Sequence, residues 1–292
     1  MEEVKTLPIV GTGLSGLVGS KFVELFSHKY QCSNLDLTVG VDITNEQQVM
    51  KAVEASKAPV IIHMAAFTDV NAAWAQNGDK HGVCYKVNVD GTANIAKAAK
   101  AFNKHLIHLS TAFVFDGQKD GLYVEEDVTN PIEWYGVTKA EAEDVVQNTC
   151  DSWTIFRIDQ PFRQDLFGRK PDTTHKLAAS LKDKTAYPQF TDHYFSPTII
   201  EDFCAVLDWA VEDKPQGIFH AVSGIKVSDS EYAVMINESL QLGADVKQGS
   251  LAEYLKTTSR PYQKNTAMSC EKLKNESNMK FTPLHEALER LE

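Results

Sequence analysis

A short apolar run, Leu7–Gly11, feeds the stretch GTGLSGLVG and then a helix-like pattern from about Leu17 to His28. No other part of the chain restricts the fold as strongly. Glycines at 11, 13, 16 and 19 allow a sharp turn and a close backbone approach that a Cβ would block. A helix opening behind such a turn offers free N–H groups and the positive end of its dipole to an anion. The spacing predicts a strand–turn–helix that holds the pyrophosphate of a dinucleotide. The GK[ST] ending of a nucleoside-triphosphate loop is missing.

The alternation continues. VGVDIT reads as a strand-like run before a helix near Glu46, and APVIIHMAA as a buried strand. GVCYKVNVDGTANIAKAAKAF reads as one long helix and HLIHLSTAFVF as a strand entering a loop. IEWYGVTKAEAEDVVQNT is helical from about Trp134, and WTIFRI is a further strand. This βαβ pattern predicts an α/β fold, a doubly wound parallel sheet of the Rossmann kind. Pro8 cannot donate to a sheet ladder and is expected at the entrance of the first strand. Beyond Ile158, DQPFRQDLFGRKPDTTH carries loop chemistry, followed by a strand and helix in FSPTIIEDFCAVLDWAVE and a strand in GIFHAV. SDSEYAVMINESLQ is a helix with a serine or aspartate N-cap. The expected organisation is a dinucleotide-binding domain over residues 1–160, to which segments near 195–222 return. A smaller, discontinuous substrate lobe covers 161–292.

Composition excludes several partners. The formal net charge of −11 and the lack of a long basic run argue against nucleic acid. No apolar run approaches the roughly 18 residues of a membrane span. Met1–Thr6 is charged and polar rather than signal-like, so a cytoplasmic location is expected. Glu125-Glu126-Asp127 reads as a solvated loop. The five cysteines are scattered without a CxxC pair, which predicts reduced, mostly buried thiols and no metal site. His105 and His108 flank a strand pattern and read as packing or surface residues.

Two constellations carry chemistry. Asp36 lies about 20 residues beyond the glycine loop, where a carboxylate accepts from the adenosine ribose hydroxyls and repels a 2′-phosphate. No Lys or Arg stands between Asp36 and Lys51, so NAD(H) is favoured, with NADP(H) the alternative. Tyr135 and Lys139 are four apart on a helix and share a face. A nearby ammonium favours the phenolate and draws the phenol toward acid–base work near neutrality. Ser110 or Thr111 supplies a hydroxyl at a predicted strand end, where doubly wound sheets bind ligands.

TGxxGxxG at Thr12–Gly19 together with YxxxK at Tyr135–Lys139 resembles the extended short-chain dehydrogenase/reductases. The chain is most similar to the dTDP-4-dehydrorhamnose reductase family. The matching stretches are DIT at Asp42, AAFTDVNAA at Ala65, NVDGTANIA at Asn88, HLSTAFVFDG at His108, WYGVTKAEAE at Trp134, SPTIIEDF at Ser196 and RPYQKNTAMSCEKL at Arg260. The resemblance implies NAD(P)H-dependent reduction of a 4-keto nucleotide sugar. It implies pyrophosphate contacts from Gly13, Ser15, Gly16 and Leu17, and an adenine flanked by Asp42 and Ile43. Ala65, Ala66 and Thr68 would line the cofactor, and Gln160, Pro161 and Phe162 would reach its nicotinamide end. Thr111, Tyr135 and Lys139 form the implied catalytic group, and Val70, Thr111, Ala112, Gln160 and Arg260 the implied substrate contacts. Two positions depart from the family pattern: STDYVFDG becomes STAFVFDG at Ala112 and Phe113, and SWVF becomes DQPF with Gln160 in the tryptophan's place. Both face the sugar in the family. The same branch includes the regulatory beta subunit of methionine adenosyltransferase. The resemblance therefore leaves three functions open: a reductase, a nucleotide-sugar epimerase or dehydratase, and a non-catalytic NAD(H)-binding subunit. The assembly is correspondingly a homodimer or a pairing with a partner enzyme.

Overall fold

A computed structural model describes residues 6–166, 168 and 171–292. Part of the loop expected around 159–175, at positions 167, 169 and 170, lies outside the described residues. The chain forms two compact units. One comprises the chain up to Ser110, with Trp134–Phe156 and Cys204–Ile218. The other comprises Thr111–Glu133, Arg157–Phe203 and Phe219–Glu292. The second thus takes in Thr111–Glu133, which a boundary at residue 160 leaves in the first domain.

The central sheet is built from β1 (Leu7–Thr12), β2 (Tyr30–Asn34), β3 (Val60–His63), β4 (His105–Thr111), β5 (Trp153–Ile158) and β6 (Gly217–His220). Its order is β6-β5-β4-β3-β1-β2, with β1 parallel to both β2 and β3, and β3 parallel to β4. The chain leaves β1 toward β2 and then crosses back to β3, so the switch point lies between β1 and β3. Ligands of doubly wound sheets bind at such a crevice. Helix α1 (Leu17–Phe26) follows β1 directly, and α2 (Glu46–Glu54), α3 (Gly91–Ala101) and α4 (Trp134–Thr149) follow later strands.

Val10, Ile61, Leu106 and Ile155 from the strands pack with Val49, Val53, Ile95, Ala99 and Val146 from α2, α3 and α4 into one core cluster. Phe22 of α1 stacks instead on Tyr30, with ring centroids 5.7 Å apart. The Tyr30 hydroxyl and the Lys29 ammonium both donate to Asp208 of the helix Ile200–Asp213. Pro8 sits where its missing N–H is harmless. It pairs with Gln31 of β2, while the β3 ladder begins only at Val10.

Two sequence readings change. Val39–Thr44 is not a strand; the second strand is Tyr30–Asn34. It is a sheet edge whose side chains are mostly polar, and only Tyr30 is fully buried, so its apolar signal is weak. The long helix from Gly82 is divided: a helical turn at Val83–Tyr85, a π-helical stretch at Lys86–Asp90, then α3. The wider turn places Asn88 inward, where it is buried.

In the second unit Phe162, Leu181, Phe195, Ile199, Tyr232, Ile236 and Leu284 form a separate core. The N-cap of the helix Asp229–Ser239 is Ser228, closed with Glu231 in a reciprocal capping box. The acidic stretch expected to be solvated is engaged in part. Glu125 accepts the His220 N–H at 2.9 Å, and Asp127 accepts from Lys119 and the Val124 N–H. Four of the five cysteines are buried and none is in a disulfide. Among the described residues no helix is long and apolar enough to cross a membrane, and no cluster of ligands could hold a metal ion.

Candidate active site

The glycine loop leaves β1 through Thr12 and enters α1 at Leu17. Gly13 has φ +70°, and a Cβ there would lie 2.8 Å from the Ala65 nitrogen. A Cβ on Gly19 would lie 2.5 Å from both the Gly13 oxygen and the Leu14 Cα, so α1 can seat against the loop only without one. Gly16 caps α1 with no side-chain hydrogen bond, and the first turn carries no acid. The helix N–H groups are therefore left for an anion, and Ser15 and Gly16 are exposed beside them. A pyrophosphate fits this cradle.

Asp36 sits two residues past β2 and caps a short 3₁₀ turn, Leu37–Val39. Its carboxylate accepts from Ser15 Oγ at 3.0 Å and Asn34 Nδ2 at 2.5 Å, and from the Thr38 N–H and hydroxyl. Burial pushes its pKa up, but these donors outweigh burial and hold it below the ordinary carboxylate value. Asp36 is thus ionised and tied to the glycine loop. Asp42 turns inward on Thr44 instead, accepting from its N–H and hydroxyl. Ile43 is buried below Gly91, with its carbonyl accepting from Asn94.

Behind the loop runs a buried hydrogen-bond chain that the sequence reading missed. Register aligns Thr12 with His63 and His63 with His108, so three polar residues form one row across the carboxyl ends of β1 and β3 and the middle of β4. Thr12 Oγ1 accepts the Ala65 N–H and lies 2.6 Å from His63 Nδ1. His63 Nε2 lies 3.0 Å from Thr92 Oγ1, whose proton goes to the Asn88 carbonyl. The Thr92 commitment fixes the imidazole tautomer: Nε2 carries the hydrogen and Nδ1 accepts from Thr12. Burial, then the Lys139 charge, lowers the His63 pKa to about 3, so it stays neutral. Asn88 spans Phe67, accepting its N–H and donating to its carbonyl, and donates to Thr138 Oγ1. Thr138 donates to the Tyr135 carbonyl. Rigid bonds thereby join the Ala65–Thr68 segment to the first turn of α4. Ala65 and Ala66 are half-buried, Thr68 is exposed, and Val70 opens the short helix capped by Asp69.

Tyr135 and Lys139 share α4. Tyr135 is half-buried and packs against the cluster of Ala73, Cys84 and Trp134. Lys139 is 2% exposed and donates to the Leu109 carbonyl at 2.7 Å. Its Nζ meets His108 Nε2 at 3.2 Å. Burial lowers the Lys139 pKa to about 8, with Glu143 and then Cys84 pulling it back up. His108 is neutral, its pKa driven far down by burial, Lys139 and His63. His105 and His108 lie on β4 and are buried, so neither is a surface residue; His105 bridges Ser152 and Thr154. Ser110 donates to Glu143 at 2.5 Å, which leaves Thr111 as the hydroxyl not engaged with that acid. Thr111 ends β4, and its Oγ1 accepts the Phe113 N–H at 3.3 Å.

The second unit holds the remaining expected residues. Ala112 is completely buried at the start of a 3₁₀ turn. Gln160 adopts φ +39°, and its Oε1 accepts from Thr173 at 3.3 Å. Pro161 and Phe162 pair with Thr198 and Ile199. The Arg260 guanidinium lies 3.6 Å over the Tyr262 ring, and its Nε and Nη1 are buried without a hydrogen-bond partner among the described residues.

Residues 7–291 match the family model described as RmlD substrate binding domain. The chain belongs to that family. It is similar to a dTDP-4-dehydrorhamnose reductase of Aggregatibacter actinomycetemcomitans, 29% identical over 269 residues that cover 89% of this chain and 88% of that protein. Among solved structures, the dTDP-4-dehydrorhamnose reductase of Bacillus anthracis in complex with NADP matches with a TM-score of 0.88 and 24% identity, over 98% of this chain and 99% of that one. The Bordetella bronchiseptica enzyme WbmG in complex with NAD matches at 0.79 with 18% identity, over 99% and 93%. These two likenesses bear on the fold alone, a Rossmann-like parallel sheet with flanking helices.

Proposed function

We propose that this chain is a nicotinamide-dinucleotide-dependent reductase of a 4-keto nucleotide sugar, of the dTDP-4-dehydrorhamnose reductase type. The observation that carries this reading is the buried Lys139 ammonium on the same helix face as Tyr135, behind the end of β4. The family relatives named as such reductases support it.

The bound dinucleotide supplies hydride; the protein binds, orients and moves a proton. Gly13, Ser15, Gly16 and Leu17 hold the pyrophosphate. Asp36 accepts from the adenosine ribose, with Asp42 and Ile43 flanking the adenine. Ala65, Ala66 and Thr68 line the cofactor, and Pro161 serves its nicotinamide end. Tyr135 donates a proton to the oxygen of the reduced carbonyl, while Thr111 donates a hydrogen bond to that oxygen. Lys139 favours the resulting phenolate and binds the nicotinamide ribose. Asp36 is ionised and no cation follows it before Lys51, which supports NAD(H) over NADP(H). Val70, Gln160 and Arg260 contact the substrate.

The substitutions at Ala112 and Gln160 point to a sugar other than the one the relatives are named for. A buried alanine offers no acceptor to a sugar hydroxyl, and Gln160 replaces an aromatic surface with an amide. The test is oxidation of NADH, followed by absorbance, across a panel of 4-keto nucleotide sugars that includes dTDP-4-dehydrorhamnose. Stoichiometric NADH loss with one of them is expected, fastest with a sugar other than dTDP-4-dehydrorhamnose. NADH binding without loss on any of them would instead place the chain among the non-catalytic subunits. Interconversion of sugars with no net NADH change would mark an epimerase.

A further inference from the structure

The ammonium of Lys139 is buried among neutral partners. Its two hydrogen-bond acceptors are the Leu109 carbonyl and the neutral imidazole of His108. The groups facing it from other elements are His63 on β3, His108 on β4 and the Cys84 thiol on the short helical turn Val83–Tyr85. Both imidazoles are neutral. On its own helix, Tyr135 lies one turn before it and Glu143 one turn after. An ammonium so placed tends to shed its proton, and a neutral lysine gives Tyr135 no positive charge to work against.

Glu143 is 2% exposed, on the face of α4 that carries Lys139. Its Oε1 accepts from Ser110 Oγ at 2.5 Å, and Ser110 is itself 3% exposed. A carboxyl group this deep, anchored by a serine of β4, the very strand that receives Lys139, serves no surface purpose. We propose that Glu143, fixed in place by Ser110, is the positioning residue that keeps Lys139 protonated and so sets the upper pH limit of the reaction. The inference rests on the reductase reading for its link to turnover; the charge pair stands on the helix spacing and on the bonds of the two side chains to adjacent residues of β4.

The direction of the electrostatics agrees. Burial lowers the Lys139 pKa to about 8, and Glu143 is the largest influence raising it. Without that carboxylate the ammonium deprotonates at lower pH. An opposite charge nearby moves such a group by roughly 1–3 pH units. Tyr135 then loses its stabilising charge earlier, and turnover falls on the alkaline side at a lower pH.

The experiment titrates Lys139 directly by NMR of full-length protein carrying ¹³Cε-labelled lysine, the signal assigned by its disappearance in Lys139→Met. Glu143→Gln is expected to lower the midpoint by at least about one pH unit, with Ser110→Ala giving a smaller drop and Glu143→Asp restoring most of the wild-type value. The alkaline limb of kcat with the best sugar should move down by the same amount. A Lys139 midpoint unchanged in Glu143→Gln overturns the proposal, whatever happens to thermal stability. If Glu143→Gln does not fold, Ser110→Ala and Glu143→Asp carry the test, and an unchanged midpoint in both overturns it. Wild-type protein that shows the displaced midpoint but turns over no keto sugar would sink the reductase reading and leave the charge pair standing.

Discussion

Replacing Asp159 by Asn should remove a loss of stability that wild type suffers between mildly acidic and mildly alkaline solution. Asp159 is 2% exposed, one residue before Gln160. Its Oδ2 accepts from Thr266 Oγ1 at 2.7 Å and from the Ser196 N–H at 3.4 Å, while Oδ1 is buried with no partner among the described residues. Burial raises its pKa from 3.8 to about 7, against the hydrogen bonds from Thr266 and Ser196 and the charge of His193. The sign follows from proton binding. Between pH 4 and 7 the folded protein holds this proton and the unfolded chain has released it, so stability falls as pH rises through that window and levels off above it. A displacement of about three pH units, at 1.36 kcal/mol each, amounts to about 4 kcal/mol at most. Asn keeps the shape and one acceptor but does not titrate. Urea denaturation from pH 4.5 to 8.5 should therefore find Asp159→Asn equal to or below wild type at the acidic end and more stable by ~2–4 kcal/mol at the alkaline end. Parallel stability curves for the two proteins would refute the reasoning and mean that Asp159 is ionised in a solvated or paired setting.

Other expectations follow from the same geometry. Gly19→Ala should destroy dinucleotide binding, measured by calorimetry, because its Cβ would lie 2.5 Å from the Gly13 oxygen and the Leu14 Cα; retained affinity would show that the loop can move aside. Asp36→Ala should weaken NADH by about tenfold and narrow its advantage over NADPH, the loss expected for one charged hydrogen bond of roughly 1.4 kcal/mol. Fluorescence titration of both cofactors decides it, and tighter NADPH binding by wild type would contradict the assignment. Ala112→Asp should lower the melting temperature rather than improve activity on dTDP-4-dehydrorhamnose, since Ala112 is completely buried and a new carboxylate there must be desolvated. A gain in kcat/KM with no loss of stability would restore the family's sugar contact at this position.

Much of the fold is legible in the chain because β3 and most of β1 and β4 are buried, and their apolar residues cluster in short runs between helical patterns. The edge strand Tyr30–Asn34 escapes, since four of its five side chains meet solvent in part and are polar or small. Position 36 was legible from its distance to the loop, but not its four hydrogen-bond donors, one of which, Ser15, lies 21 residues away. Tyr135 and Lys139 announce themselves by spacing. The row Thr12–His63–His108 does not, because its logic is register between strands separated by some 50 and 45 residues. The one local sign was a polar residue closing the apolar runs of β1 and β3. Ser110 and Thr111 looked alike in sequence; only the contact with Glu143 separates them.

The most direct test is single-turnover hydride transfer to the best 4-keto nucleotide sugar by wild type and Tyr135→Phe, each preloaded with NADH. The phenylalanine ring still packs against the cluster of Ala73, Cys84 and Trp134, so NADH affinity should remain within about twofold, while the rate of NADH oxidation falls by 10²-fold or more, in the range expected for loss of a general acid. A Tyr135→Phe protein that transfers hydride at close to the wild-type rate would contradict the account, because the proton would then come from elsewhere.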